Sequence, residues 1–127
     1  MTIGNSGYFI ATEVCQMLES RPNALIECLT ALKYAEDGQK HLQAGDPSGA
    51  LTYLKKAHEK FEGIREAKLL LGINKADIAA AYGNLGNYRR AADYAEDCIS
   101  IVKGNARLAF TEAMARMTLA RHNGSRQ

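Results

Sequence analysis

Three cysteines and three histidines are all that this 127-residue chain offers of the residue types that most often carry redox, metal or acid/base chemistry. Cys15, Cys28 and Cys98 cannot all pair within the chain, and none stands in the two-residue spacing that binds zinc or cycles redox, so a reducing, cytoplasmic location is expected. His41, His58 and His122 are widely spaced, and no glycine-rich phosphate loop, nucleophile elbow or helical two-histidine motif is present. Glu36-Asp37 and Glu96-Asp97 are neighbours in sequence, which on a helix points them about 100° apart and makes a poor acid/base pair. No enzyme activity, metal or cofactor is therefore expected. A net charge of +2 is too small to make nucleic acid or an anionic membrane the default partner. The apolar run YFIATEV is short, lacks a basic start and contains Glu13, so neither a signal peptide nor a membrane span is expected. No alternating strand pattern competes with helical periodicity anywhere.

What remains is a helical pattern with glycine punctuation. A hydrophobic content of 46% supports a modest core, and the length fits a single domain, 1–127. A small polar start, with Asn5 or Ser6 as cap, leads into a first helix over about 8–19, whose Ile10, Val14, Met17 and Leu18 form a stripe with Phe9 on its flank. That stripe must be buried: it caps the stack, fills a groove of its own chain, or dimerises. Ser20-Arg21-Pro22-Asn23 breaks the pattern, because the residue before a proline avoids the helical region. A long helix over 24–44 follows, with Leu25, Cys28, Leu29, Leu32, Ala35 and Leu42 at threes and fours.

Gly45-Asp46-Pro47 then makes a corner: glycine for the left-handed closing residue, aspartate for the next helix's free N–H groups, proline for its first turn. From Ser48 only Gly63 and Gly72 interrupt the pattern. One helix ending near Gly72-Ile73-Asn74 is the preferred reading, with a turn at Gly63 as the alternative. Helices over 75–85 and 88–103 follow, then Gly104-Asn105, then a closing helix over 106–121 with Phe110, Ala113, Met114 and Met117 on one face.

Two segments repeat. Gly86-Asn87-Tyr88 stands where Gly45-Asp46-Pro47 stood, Ala91 for Ala50, Tyr94 for Tyr53, Ala95 for Leu54 and Cys98 for Ala57, an offset of about 41 residues. Gly38, Ala50 and Ala57 let two helices of the first copy approach, while Leu42, Leu54 and Phe61 fill the space between them. This pattern resembles the tetratricopeptide repeat over 33–61 and 75–102. It departs from the family at His41, where the second copy has Tyr82, and in spacing, since the family's period is about 34. The resemblance implies an all-α fold: antiparallel helical hairpins stacked as a short right-handed superhelix, with an extra N-terminal helix and a C-terminal capping helix.

It also implies a use. The first helices of such repeats line a concave groove, which here would be Ala35, Gln39, Leu42 and Gln43 from one copy and Ala76, Ala80, Gly83 and Asn84 from the other. The version of the fold that clamps acidic chaperone tails needs lysine and asparagine where Ala35 and Gln39 stand, so an apolar helix or extended segment of a partner protein is the better expectation. The alternative is a self-associating structural protein, a homodimer included. His41 on a packed face is expected to bond to a neighbour, and Cys98 to serve as a small buried hydrophobe. Lys103, Arg107, Arg116, Arg121 and Arg126 give 103–127 a charge of +4, but no interleaved aromatics offer base stacking, so nucleic acid is not the expected partner.

Overall fold

The structure, a computed structural model, describes residues 5–122, with side chains from residue 7 onward. Over that span it is helical throughout: α1 Asn5–Met17, α2 Pro22–Gln43, α3 Pro47–Glu62, a 3-10 turn Arg65–Ala67, α4 Lys68–Asn84, α5 Tyr88–Val102, a second 3-10 turn Ala106–Leu108, and α6 Ala109–His122. The capping role expected of Asn5 or Ser6, and the polar tail over 123–127, lie outside the described side chains. No described helix is long and apolar enough to cross a membrane.

Local chemistry sets both hairpin corners in the same way. Gly45 and Gly86 take φ of +79° and +80°, a conformation that costs glycine nothing and most residues about 1–2 kcal/mol. That geometry lets the Asp46 N–H donate to the His41 carbonyl at 2.8 Å and the Asn87 N–H donate to the Tyr82 carbonyl at 3.0 Å, satisfying helix-end acceptors. The side chains then cap the next helix: Asp46 Oδ1 accepts from Gly49 N at 3.0 Å and Asn87 Oδ1 from Arg90 N at 3.4 Å. The chain therefore reverses twice, and α2 packs on α3 as α4 packs on α5.

Packing repeats along with the corners. A Cβ built on Gly38 would stand 2.5 Å from the Leu54 side chain, so α2 and α3 meet where only a hydrogen fits. Ala50, Leu54 and Ala57 are fully buried there, and 41 residues on Ala91, Ala95 and Cys98 are fully buried in their turn. His41 stacks on Tyr53 at 5.1 Å between ring centroids and 25° between planes; Tyr82 stacks on Tyr94 at 5.7 Å and 24°. His41 in the first hairpin thus places a smaller ring where the second hairpin has Tyr82.

Three expectations are corrected. The helix after the first corner stops at Glu62, not near Gly72. Ile64 takes extended backbone (φ −122°, ψ 107°) and buries its side chain, which a continuing helix would prevent. Gly72 lies inside α4 instead, because a Cβ there would come within 2.8 Å of Val102 and 2.9 Å of Ile101 on α5. It is a contact glycine, and Asn74 is no cap.

The second correction concerns α1. Ile10, Val14 and Leu18 are buried as one straight line, but Phe9 and Met17 fall off that line and face outward, as Leu29 does on α2. The helix lies against α2, α4 and both 3-10 turns, with Glu13 held by Arg107 at 2.9 Å.

The third is α6. Its packed side is Ala115 and His122, while Phe110, Ala113, Met114 and Met117 face solvent. The reason follows from the repeat. Counting 41 residues on from Gly72, which meets α5, gives Ala113, and from Ala79 gives Ala120, both exposed. The outward face of α6 is the one that a second hairpin helix covers on α2 and α4.

Candidate functional site

Of the eight residues expected to line a groove, six lie on α2 and α4 with some surface in water or, for Gln43 and Asn84, openly exposed; Ala35 and Gln39 are buried. Gln39 is not an open contact. It is only 7% exposed and its Nε2 donates to Asp77 Oδ2 at 2.8 Å, tying α2 to α4. Gly83 is also unavailable, because the His122 ring lies over it: a Cβ there would meet Nε2 at 2.8 Å. His122, one residue past the closing helix expected over 106–121, is buried at the end of α6 and stacks on Tyr88 with centroids 4.5 Å apart. Leu42, Ala76 and Ala80 stay half-buried between the open amides and the packed turns.

Next to Gln39 the structure assembles a polar cluster. Asn74 is 2% exposed, and its Nδ2 donates to the Leu54 carbonyl at 2.9 Å, joining α4 to α3. Each amide thus donates once across a helix contact, while Gln39 Oε1 and Asn74 Oδ1 are left buried without a hydrogen-bond partner. An unmet buried acceptor costs about 1–3 kcal/mol, so such a pair calls for an explanation. Both line a cavity of about 10 Å³ with Asp77, walled by Leu32, Ala35, Phe61, Leu70 and Ile73. Burial lifts the Asp77 carboxyl to about 6, opposed by the Gln39 bond. No ion pair of the described residues involves it.

Asn74 and Asp77 were missed in reading the sequence. The available signal was one acid inside the otherwise apolar run DIAAAYG of a helix whose neighbours on both sides are helices. An asparagine two residues after a glycine reads as punctuation, and only the approach of α3 turns it into a cross-link.

The other groups are occupied by structural work. His41 Nδ1 lies 2.9 Å from Asp46 Oδ2, whose carboxyl is held low by the Gly49 N–H and then by His41. His58 meets Tyr94 edge-on at 6.0 Å, and burial, then Lys75, lowers its pKa. Burial pushes Cys98 and Cys28 up to about 12, and burial also raises the free thiol of Cys15, against a hydrogen bond with Cys28. Glu36 and Asp37 pair with Lys33 and Lys40, and Asp97 with Lys75 at 3.3 Å. A larger hollow of about 380 Å³ beside Tyr34 and Lys56 has its central charges paired, Lys60 to Glu27 at 2.8 Å. In the basic segment Arg107 is taken by Glu13 and Arg116 by Glu112. Among the described residues no His, Cys, Asp or Glu group is placed to hold a metal. Compared with known proteins, the chain matches no family model, no curated protein and no solved structure.

Proposed function

We propose that this chain is a protein-interaction module of the tetratricopeptide type, which holds a helix or extended segment of a partner along α2 and α4. The observation that carries the reading is the recurrence of one hairpin at a 41-residue spacing: the same left-handed glycine, the same cap and the same ring stack at Gly45, Asp46 and His41–Tyr53 as at Gly86, Asn87 and Tyr82–Tyr94. Stacked hairpins of this kind present their first helices side by side. Leu42, Gln43, Ala76, Ala80 and Asn84 supply small, apolar and amide surface on those helices, suited to an apolar segment with its backbone held by amides. Each Å² of apolar surface covered contributes about 25 cal/mol before ordering costs. Adaptor, chaperone and sequestering regulator all use this chemistry; none requires a cofactor, and cytoplasmic residence fits the free thiols.

Peptide selection against the folded chain tests the reading. Enriched segments are expected to bind wild type at least tenfold more tightly than Ala80→Trp, which narrows the surface without touching the core. Absence of enrichment, or binding indifferent to Ala80→Trp, overturns it.

A second reading, self-association, is favoured by the bare ends of the stack: Ile26 and Leu29 on α2, and Phe110 at 75% and Met117 at 57% exposure on α6. Sedimentation equilibrium separates the two. A concentration-dependent dimer abolished by Met117→Glu supports this reading, and a monomer at all concentrations removes it.

A further inference from the structure

α6 carries an apolar seam that no described helix covers. Phe110, Met114 and Met117 are exposed with Ala113 and Ala120 beside them, while Ala115 and His122 hold the opposite side of the helix against the body. Phe110, Ala113, Met117 and Ala120 are spaced three, four and three apart, which lines them up on one side of a helix as the a and d positions of a heptad. Size alternates along that line, large at 110 and 117 and small at 113 and 120. A parallel second copy would set Phe110 on Phe110 and Ala113 on Ala113, crowding one layer and emptying the next. An antiparallel copy sets a against d instead, so Phe110 lies on Ala120 of the second copy and Met117 on its Ala113. Every layer then joins one large and one small side chain.

The flanks agree with that register. Met114 of the two copies would meet on one side of the seam and Arg116 on the other. Each arginine is already neutralised by Glu112 at 2.8 Å, a carboxylate that also accepts from the Gly104 N–H at 3.3 Å, so no bare like charges face each other. The other bare patch, Ile26 and Leu29 on α2, offers two large side chains, and joining it to α6 would make a head-to-tail contact that need not close at two. An α6 pair closes by symmetry. A seam of this length buries about 1,000 Å² in total, the lower bound of a specific interface, so a reversible micromolar dimer is expected. We infer that α6 is a homodimer interface in which two copies pair antiparallel through Phe110, Ala113, Met117 and Ala120. This rests on the self-association reading and supplies its surface and register.

Sedimentation equilibrium of the whole chain tests the register through an exchange of sizes. Wild type is expected to dimerise reversibly. Ala113→Met should weaken the dimer about tenfold or more by setting two methionines in one layer, and Met117→Ala should weaken it as much by emptying that layer. The double variant Ala113→Met/Met117→Ala restores one large and one small residue per layer, so its affinity is expected within about threefold of wild type. Both positions face water in the monomer and both residue types favour helix, so circular dichroism should not change. Ile26→Glu on α2 should leave the dimer intact. A double variant as weak as the single ones overturns the antiparallel register. A dimer lost in Ile26→Glu but indifferent to Met117→Ala moves the contact to α2, overturning the inference while self-association stands. Species that keep growing with concentration also overturn it, since an α6 pair closes at two. A chain that stays monomeric removes both the inference and the reading beneath it.

Discussion

The two hairpins carry the same plan with opposite distributions of bulk. In the first, Gly38 faces Leu54; in the second, the equivalent residues are Ala79 and Ala95, a small pair in place of nothing against something large. The first stacks His41 on Tyr53 at a half-open surface, while the second stacks Tyr82, buried, on Tyr94. The difference tracks neighbours. α4 and α5 lie between α3 and α6, so what they expose locally is covered globally, whereas α2 packs chiefly on α3 and leaves Ile26 and Leu29 in water. Local chemistry makes the hairpin; position in the stack decides how much each side chain is worth.

The sharpest way to break that comparison is at the ring stacks. Tyr82→Ala is expected to cost about 3–4 kcal/mol and His41→Ala under about 1 kcal/mol, measured by urea unfolding. Equal costs would mean that stack position does not set the burial energy.

Next comes the exchange of bulk. Gly38→Ala should lose about 1–3 kcal/mol by overpacking and Leu54→Ala about 2–5 kcal/mol by leaving a cavity. The double variant recreates the second hairpin's Ala–Ala pair, so its loss should fall short of the sum by about 1 kcal/mol or more. Strict additivity would show that the two hairpins do not share one packing solution.

The third prediction contrasts Asp77 with its counterpart Glu36, one half-buried and desolvated between α2 and α4, the other on the open side of α2 beside Lys40. Burial raises Asp77 from 3.8 to about 6, so the folded chain holds this proton more firmly than the unfolded chain. Its contribution is most favourable below about pH 4 and is lost as pH rises through 6, where a desolvated carboxylate forms with no cation beside it. Asp77→Asn should therefore stabilise by about 1–3 kcal/mol at pH 8 and by little at pH 4. Glu36→Gln should change little at either. A gain at pH 4 as large as at pH 8 would locate the cause elsewhere.

The smallest effect concerns thiols. Cys28 and Cys98 sit at equivalent depth in different layers, both neutral at neutral pH because burial pushes them to about 12. Neither should react with a water-soluble disulfide reagent at pH 8 until urea unfolds the chain. Fast labelling of one alone would show that its layer opens locally.

Much of the hairpin plan was legible because its causes are short-range. Gly45, Asp46, Gly86 and Asn87 act on atoms within a few residues, so their types and spacing carry the turn without reference to the rest. Gly72 was misread because a glycine that ends a helix and one that admits a neighbouring helix look alike until Val102 and Ile101 are placed beside it. Gln39 was read as an open contact because sequence could not pair it with Asp77, 38 positions away. The closing-helix stripe was real as a pattern, yet an apolar face shows only that a partner would be favourable, not that the chain supplies one.

By itself, then, the sequence determined that the described chain is helical, where its corners fall at Gly45 and Gly86, and that two segments share one hairpin chemistry, since capping, left-handed glycine and side-chain periodicity are local properties of the backbone. Only the tertiary structure decided that α1 spans both hairpins, that α6 turns Phe110, Met114 and Met117 outward, and that Gln39, Asn74 and Asp77 converge on one cavity. Those outcomes depend on which helix lies against which, a choice made by volume and burial across the whole fold.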